Sequence, residues 1–300
     1  MSVETIPVID FAQFGDGTSL ESQEIAKKFY EACRDVGFAY LINTGIPQEK
    51  VNGMFEWSAK FFELPIEVKT KVSKLPEKYG GYRGIGVEQV SQMVFDPEEL
   101  VAIRKGKSLD FKESFDVYDE TSTAGLGLEN TGYRKRFCQG FASLLWTTAD
   151  LAGFFNECHK DGANWLRLVH YPEAPAEVFE SGEKGRIGAH TDYGTCTLLF
   201  QDDVGGLEVE SPSEPGVDLL MRWSNDTLKT TLHRVRALAR SADDNGMTQK
   251  RFSIPYFIGA DAKTIVDYIP GCWGPDKPKK YDPVNAAKYI DMRVHATYLK

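Results

Sequence analysis

A helical cap followed by a β-sandwich or β-barrel is the fold class that this sequence predicts, and three observations carry it. From Trp165 onward the chain divides into short β-type segments separated by turn residues at close intervals. Before that point, strand-like and helix-like patterns alternate. The composition, 42% apolar and 26% charged over 300 residues, is that of an ordinary globular chain and excludes disorder, collagen and coiled coil as the main class.

Residues 6–11 (IPVIDF) read as a short strand. Residues 19–37 place apolar side chains at Ile25, Phe29, Tyr30 and Cys33, a helical spacing that Gly37 closes. Residues 38–47 are β-rich and end in a turn at Thr44-Gly45, and residues 47–65 predict a second helix with Val51, Met54, Phe55, Phe61 and Phe62 toward a core. A glycine-rich stretch (Gly80, Gly81, Gly84, Gly86) and a polar run through residue 132 have few periodic apolar positions and predict a flexible lid or substrate loop. The run GGYRGIG lacks GxGxxG order, which argues against a nucleotide site. Residues 133–160 predict one more helix. The β segments then fall at 165–172, 186–201, 205–210, 217–223, 230–239, 250–260 and 264–269. The chain thus divides into a cap and loop region at 1–132, a helix at 133–160 and a β core with a C-terminal tail at 161–300, together one domain.

Lys+Arg number 35 against 44 Asp+Glu, a net charge of −9, with a pI near 5.2. That balance argues against nucleic acid or an anionic membrane as partner, because phosphate binding needs concentrated Lys and Arg. A small-molecule enzyme or a protein-binding module remains. The N-terminus shows no basic region followed by an apolar core, and no apolar stretch is long enough to span a bilayer. Five scattered cysteines form neither a CxxC pair nor a disulfide framework. The expectation is a soluble, cytoplasmic protein with reduced thiols; the oligomeric state is not readable.

His190-Thr191-Asp192 carries the first chemical signal. In a strand, residues i and i+2 share a face, so both side chains can converge on one ion. His233 lies 41 residues beyond Asp192 on another β segment. Two His and one carboxylate on adjoining strands make a facial triad, suited to Fe(II) because three coordination positions stay open. Each histidine taken alone is more often a satisfied core or surface residue. Arg251-Phe252-Ser253, 18 residues after His233, again sets two polar side chains on one strand face; a guanidinium with a hydroxyl is a natural clamp for a terminal carboxylate. His170 points to the face opposite Tyr171 and stays outside the metal site. His159 and His295 read as surface residues, and Trp223 with Asn225-Asp226 as a strand end and turn that set the register of His233.

The segments IPVIDF, GFAYLINTGIP, SAKFFELP, FKESFDV, NWLRLVHYP, GAHTDYGTCTLLFQDDVGGLEV, DLLMRWSNDTLKTTLHRV and RFSIPYF run nearly end to end. Through them the chain resembles the Fe(II)- and 2-oxoglutarate-dependent dioxygenases of the isopenicillin N synthase-like superfamily, most of all the fungal members grouped with thymine dioxygenase. The resemblance implies a double-stranded β-helix, or jelly-roll, core. It implies iron at His190, Asp192 and His233, and 2-oxoglutarate at Arg251 and Ser253 with Tyr171 also in contact. Asn164 and Phe257 match positions that line the substrate pocket. The implied reaction consumes O2 and 2-oxoglutarate, oxidises a small organic molecule and releases succinate and carbon dioxide; ascorbate is an expected helper in vitro.

Two departures from the family stand out. Relatives continue after residues 154–160 with a helix, where here Lys160 runs directly into Asp161. Relatives also place a strand and hairpin before the segment that here begins at Val217, directly after Gly216. One covering helix and one barrel strand are therefore expected to be missing, with unpaired edges left behind. Two rival readings follow: a catalytically silent, truncated jelly-roll, or an oxidase of the same fold that does not use 2-oxoglutarate. A zinc hydrolase is disfavoured, since neither HExxH nor CxxC occurs.

Overall fold

The structure, a computed structural model, describes residues 5–15, 19–73, 80–90, 97–104, 109–118, 154–155, 157–160, 164–180, 185–210, 219–238 and 246–298. Most of the helix predicted at 133–160, and both junctions where segments are expected to be missing, lie outside these residues; 154–155 and 157–158 are helical.

Local sequence signals build the cap. β1 (Val8–Asp10) precedes α1 (Leu20–Asp35), whose N-cap Ser19 accepts the Ser22 N–H at 3.1 Å and whose buried stripe includes Ile25, Ala26, Phe29 and Ala32. Gly37 ends the helix at φ +79°, its N–H donated to the Ala32 carbonyl at 2.8 Å. A Cβ at Gly37 would stand 2.5 Å from Thr231 Oγ1, so only glycine lets the end of α1 approach the chain that leads to His233. β2 (Tyr40–Ile42) pairs parallel with β1, and α2 (Gln48–Phe62) follows. α3 (Ile66–Lys69) and a 3-10 turn at Thr70–Val72 close the cap.

Further along lie β3 (Gly81–Arg83), α4 (Pro97–Arg104), β4 (Glu113–Tyr118), β5 (Trp165–Tyr171), α5 (Glu177–Glu180), β6 (Ile187–His190), β7 (Cys196–Gln201) and β8 (Leu207–Val209). The chain ends through α6 (Leu219–Ser224), β9 (His233–Val235), β10 (Arg251–Ile258), β11 (Ile265–Val266), β12 (Val284–Asn285) and α7 (Ala286–Tyr298). The order β3-β4-β5-β10-β7 makes a five-stranded antiparallel sheet, and β6-β9-β8 a three-stranded one. Val169 and Tyr171 of the first pack on Ile187, Leu207 and Val235 of the second, so the two sheets close over one core. From β5 to β8 the chain alternates between them, the winding of a jelly roll. Among the described residues, β7 and β8 each pair with a single strand.

Four expectations are corrected. Residues 217–223 were expected as a strand, but Leu219–Ser224 is a helix with Leu219, Leu220, Met221 and Trp223 all buried. A short run that is apolar on every side has no period to separate buried helix from buried strand. The glycine-rich and polar stretch expected as a loop supplies β3 and β4, because Tyr82, Arg83, Ser114 and Asp116 are buried in pairs and networks rather than solvated. His159, expected at the surface, is 6% exposed, its ring bonded to Phe155 O and Thr195 Oγ1 and packed near Trp223. His295 is exposed as expected. The turn at Asn225-Asp226 is also as expected: φ is +50° and +60°, and the Asn225 amide bridges Cys272 O, Pro278 O and Lys280 N–H. Trp223 beside it is not a strand end but the fully buried side chain of α6. No described helix is long and apolar enough to cross a membrane.

Candidate active site

β6 and β9 place His190 directly opposite His233 in register, with ring centroids 4.3 Å apart. Their Nε2 atoms lie 3.9 and 3.8 Å from Asp192 Oδ1, and the ligand atoms of all three fall within 4.8 Å of one another. His190 Nδ1 meets Gly188 O at 2.9 Å and His233 Nδ1 meets Thr231 O at 3.2 Å. A carbonyl only accepts, so each Nδ1 carries a proton, which leaves Nε2 as the nitrogen that faces Asp192. Burial, then the nearby His233, pushes the His190 pKa down to about 3, which keeps it a neutral donor. Two imidazoles and one carboxylate converging on one point suit a divalent iron with positions left open. The strand-face argument applies to His190 alone: β6 ends there, and Asp192 lies beyond it in non-strand chain.

Arg251 is 1% exposed and faces Tyr171 across the β5–β10 pair, its guanidinium carbon 5.0 Å from the Tyr171 ring centroid. Its Nη2 donates to Gln201 Oε1 at 2.7 Å, whereas Nε and Nη1 have no hydrogen-bond partner among the described residues. Ser253 is buried two residues along the same strand. A buried cation with unmet donors calls for an anion, and a carboxylate matches that fork.

One cavity of about 1610 Å³ unites these groups: His190, Asp192, His233, Arg251, Ser253, Tyr171 and Phe257 all line it. Asn164 is buried beside the wall instead, its Oδ1 accepting the Gly259 N–H at 3.2 Å. Phe257 stacks near Trp165, centroids 4.9 Å apart, and Arg167 lies 6.0 Å over the Phe257 ring.

Another part of the wall was not foreseen. Glu88, Lys112, Arg83, Arg167 and Asp116 form a buried ion-pair network there, with Arg83–Asp116 and Arg167–Asp116 contacts at 2.6 Å and Lys112 paired to Glu88. Burial pushes the Glu88 carboxyl up, but Arg167, Lys112 and Arg83 outweigh it and hold it well below the usual range. A sequence trace of this network is the FKESFDV segment, in which Lys112, Ser114 and Asp116 recur at every second position. His170 lies away from the His190–Asp192–His233 cluster, paired with Glu113 at 2.8 Å.

A double-stranded β-helix that carries a His-Asp-His cluster within its cavity defines a class: non-haem iron oxygenases. The chain belongs to the 2OG-Fe(II) oxygenase superfamily, which matches residues 162–260, while the family described as the N-terminal region of non-haem dioxygenase in morphine synthesis matches residues 6–135. It is a 2-oxoglutarate-dependent dioxygenase. The 2-oxoglutarate-dependent dioxygenase frbA of Dothideomycetidae sp. (strain 11243) is 32% identical, over 98% of this chain and 97% of that one. The proline hydroxylase buaE of Petromyces alliaceus is 31% identical, over 99% and 100%. Among solved structures, the full-length thymine-7-hydroxylase of Neurospora crassa in complex with alpha-KG and thymine superposes with a TM-score of 0.78 at 34% identity, covering 98% of this chain and 97% of that one. The frbA alignment extends over 338 positions against the 300 residues here, so at least 38 fall opposite gaps in this chain.

Proposed function

We propose that His190, Asp192 and His233 bind Fe(II), that Arg251 and Ser253 hold the far carboxylate of 2-oxoglutarate, and that Tyr171 packs beside that carboxylate. The observation that carries this reading is the pair of Nδ1–carbonyl hydrogen bonds, which aim both Nε2 atoms at the Asp192 carboxylate. Bound there, Fe(II) with 2-oxoglutarate supplies the oxidative decarboxylation that activates O2 for C–H oxidation and yields succinate and carbon dioxide. The chain's own residues do the rest. Arg251 sets the cosubstrate's distance and orientation through its fork, Tyr171 covers one face of the guanidinium, and the apolar wall around Phe257 excludes water from the reacting C–H.

The substrate is a small, polar, uncharged organic molecule. Arg83, Glu88, Lys112, Asp116 and Arg167 on the cavity wall are paired with one another, so that stretch offers hydrogen bonds rather than a net charge, and the Trp165–Phe257 pair offers a flat apolar surface. A pyrimidine such as thymine fits that description, as does a neutral secondary metabolite. Asn164 acts on this pocket through Gly259. The net charge of −9 supports a small molecule over nucleic acid, and the free state of all four described cysteines supports a reducing, cytoplasmic setting.

Anaerobic titration with Fe(II) and then 2-oxoglutarate tests the assignment without a substrate. A saturable visible charge-transfer band is expected; a cooperatively folded protein with no band refutes the ligand set. Succinate release stimulated above its uncoupled rate by members of a panel of neutral heterocycles, thymine among them, then tests the substrate class. Stimulation by charged compounds alone overturns it.

A further inference from the structure

We propose that Arg293, on the C-terminal helix α7, is a positioning residue for the metal site: it holds the two residues that flank Asp192. The inference rests on the reading of His190, Asp192 and His233 as iron ligands, and begins from a gap in how the fold places them. His190 and His233 are fixed by paired strands, but β6 ends at His190, so no ladder holds Asp192. Something else must set its carboxylate.

α7 supplies it. Arg293 is 1% exposed, and its Nη2 donates both to Thr191 O and to Thr191 Oγ1 at 3.2 Å, gripping the residue between the two ligands. The same guanidinium lies 4.3 Å over the ring of Tyr193, the residue after Asp192. Tyr193 is tied to α7 a second time, through its hydroxyl and Thr297 Oγ1 at 3.0 Å, and Thr297 Oγ1 in turn bonds Arg293 O at 3.1 Å. Arg293 Nη1 donates to Tyr289 OH at 3.2 Å, which steadies the guanidinium from behind. Thus the Asp192 backbone is clamped on both sides by one helix near the end of the chain. Ala287, Ile290, Asp291 and Val294 of that helix also line the cavity.

Partners that orient a ligand from outside the first coordination sphere are worth about 10–100-fold in metal affinity. In Arg293→Lys, which keeps the buried charge but loses the planar fork, the half-saturating Fe(II) at excess 2-oxoglutarate should rise by more than threefold. Arg293→Met should raise it further. Each titration is run well below that variant's own melting temperature. At saturating Fe(II), the 2-oxoglutarate midpoint should stay where it is, because Arg251 and Ser253 lie on another strand. A purely core-filling arginine lowers the melting temperature and leaves the Fe(II) midpoint unmoved. An Fe(II) midpoint within threefold of the parent in Arg293→Lys overturns the proposal, and that variant decides the matter if Arg293→Met does not fold. Absence of the band in the parent chain is a different result, and refutes the ligand assignment itself.

Discussion

His190 and His233 face each other across neighbouring strands at a ring separation of 4.3 Å, and each is turned by a carbonyl two residues before it, Gly188 and Thr231. One backbone rule, applied on both strands, therefore fixes two tautomers and one point of convergence. Thr231 is held in its turn: its hydroxyl donates to Val36 O at 2.6 Å, at the end of α1. The cap thus reaches the candidate metal site through that contact.

Asp192 provides the only negative charge among the three candidate ligands. Asp192→Ala should abolish iron-dependent turnover and strip iron from the purified protein, because two imidazoles without the carboxylate bind Fe(II) weakly. Metal analysis and succinate release check both; full activity in the variant removes Asp192 from the site.

Arg251 should act on the cosubstrate alone. Arg251→Met removes a charge-assisted hydrogen bond of about 1.5–3 kcal/mol, so the apparent KM for 2-oxoglutarate should rise roughly 10- to 150-fold. Turnover at saturating cosubstrate should change much less, and steady-state kinetics over a wide 2-oxoglutarate range separates the two.

Asp110 carries a pH signature. Its carboxyl is buried, Oδ2 has no hydrogen-bond partner among the described residues, and burial lifts its pKa from the ordinary 3.8 to about 6. Between those values the folded protein binds more protons than the unfolded chain, so Asp110 lowers stability as pH rises from about 4 to about 6. Asp110→Asn can keep the Gly188 N–H bond and should stabilise by about 1–3 kcal/mol at pH 7.5, with almost no gain at pH 4. Denaturant melts at the two pH values test it; an equal gain at both refutes the titration.

Asn225 is buried at φ +50° and its amide serves three backbone groups. Asn225→Ala should cost about 2–4 kcal/mol. Asn225→Gly should recover about 1 kcal/mol of that, because glycine tolerates the left-handed backbone but restores no hydrogen bond. Thermal melts of the pair separate backbone strain from lost bonding.

Short-range features were legible in the sequence wherever one local rule governs. Gly37 ended α1 because a helix terminus needs φ > 0 there, and Asn225-Asp226 turned the chain as expected. HxD, H and RxS were legible because their spacing and order are chemically distinctive. Residues 219–224 misled because a run buried on all sides carries no periodicity. α7 passed unnoticed although its buried positions Ala286, Tyr289, Arg293, Ala296 and Thr297 recur at helical spacing and the Asn285 side chain accepts the Lys288 N–H at its start.

The sequence by itself determined the class of chemistry: which residue types could take up metal and carboxylate, and the strands that carry most of them, since period-2 alternation and turn residues act over a few positions. Only the tertiary structure decided what surrounds and aims them. Glu88 meets Tyr298 across 210 residues, and Arg293 reaches Thr191 across 102. No local pattern encodes such pairs, because each is made only when the sheets and α7 close around a common core, where a buried charge must find a partner or forfeit its solvation.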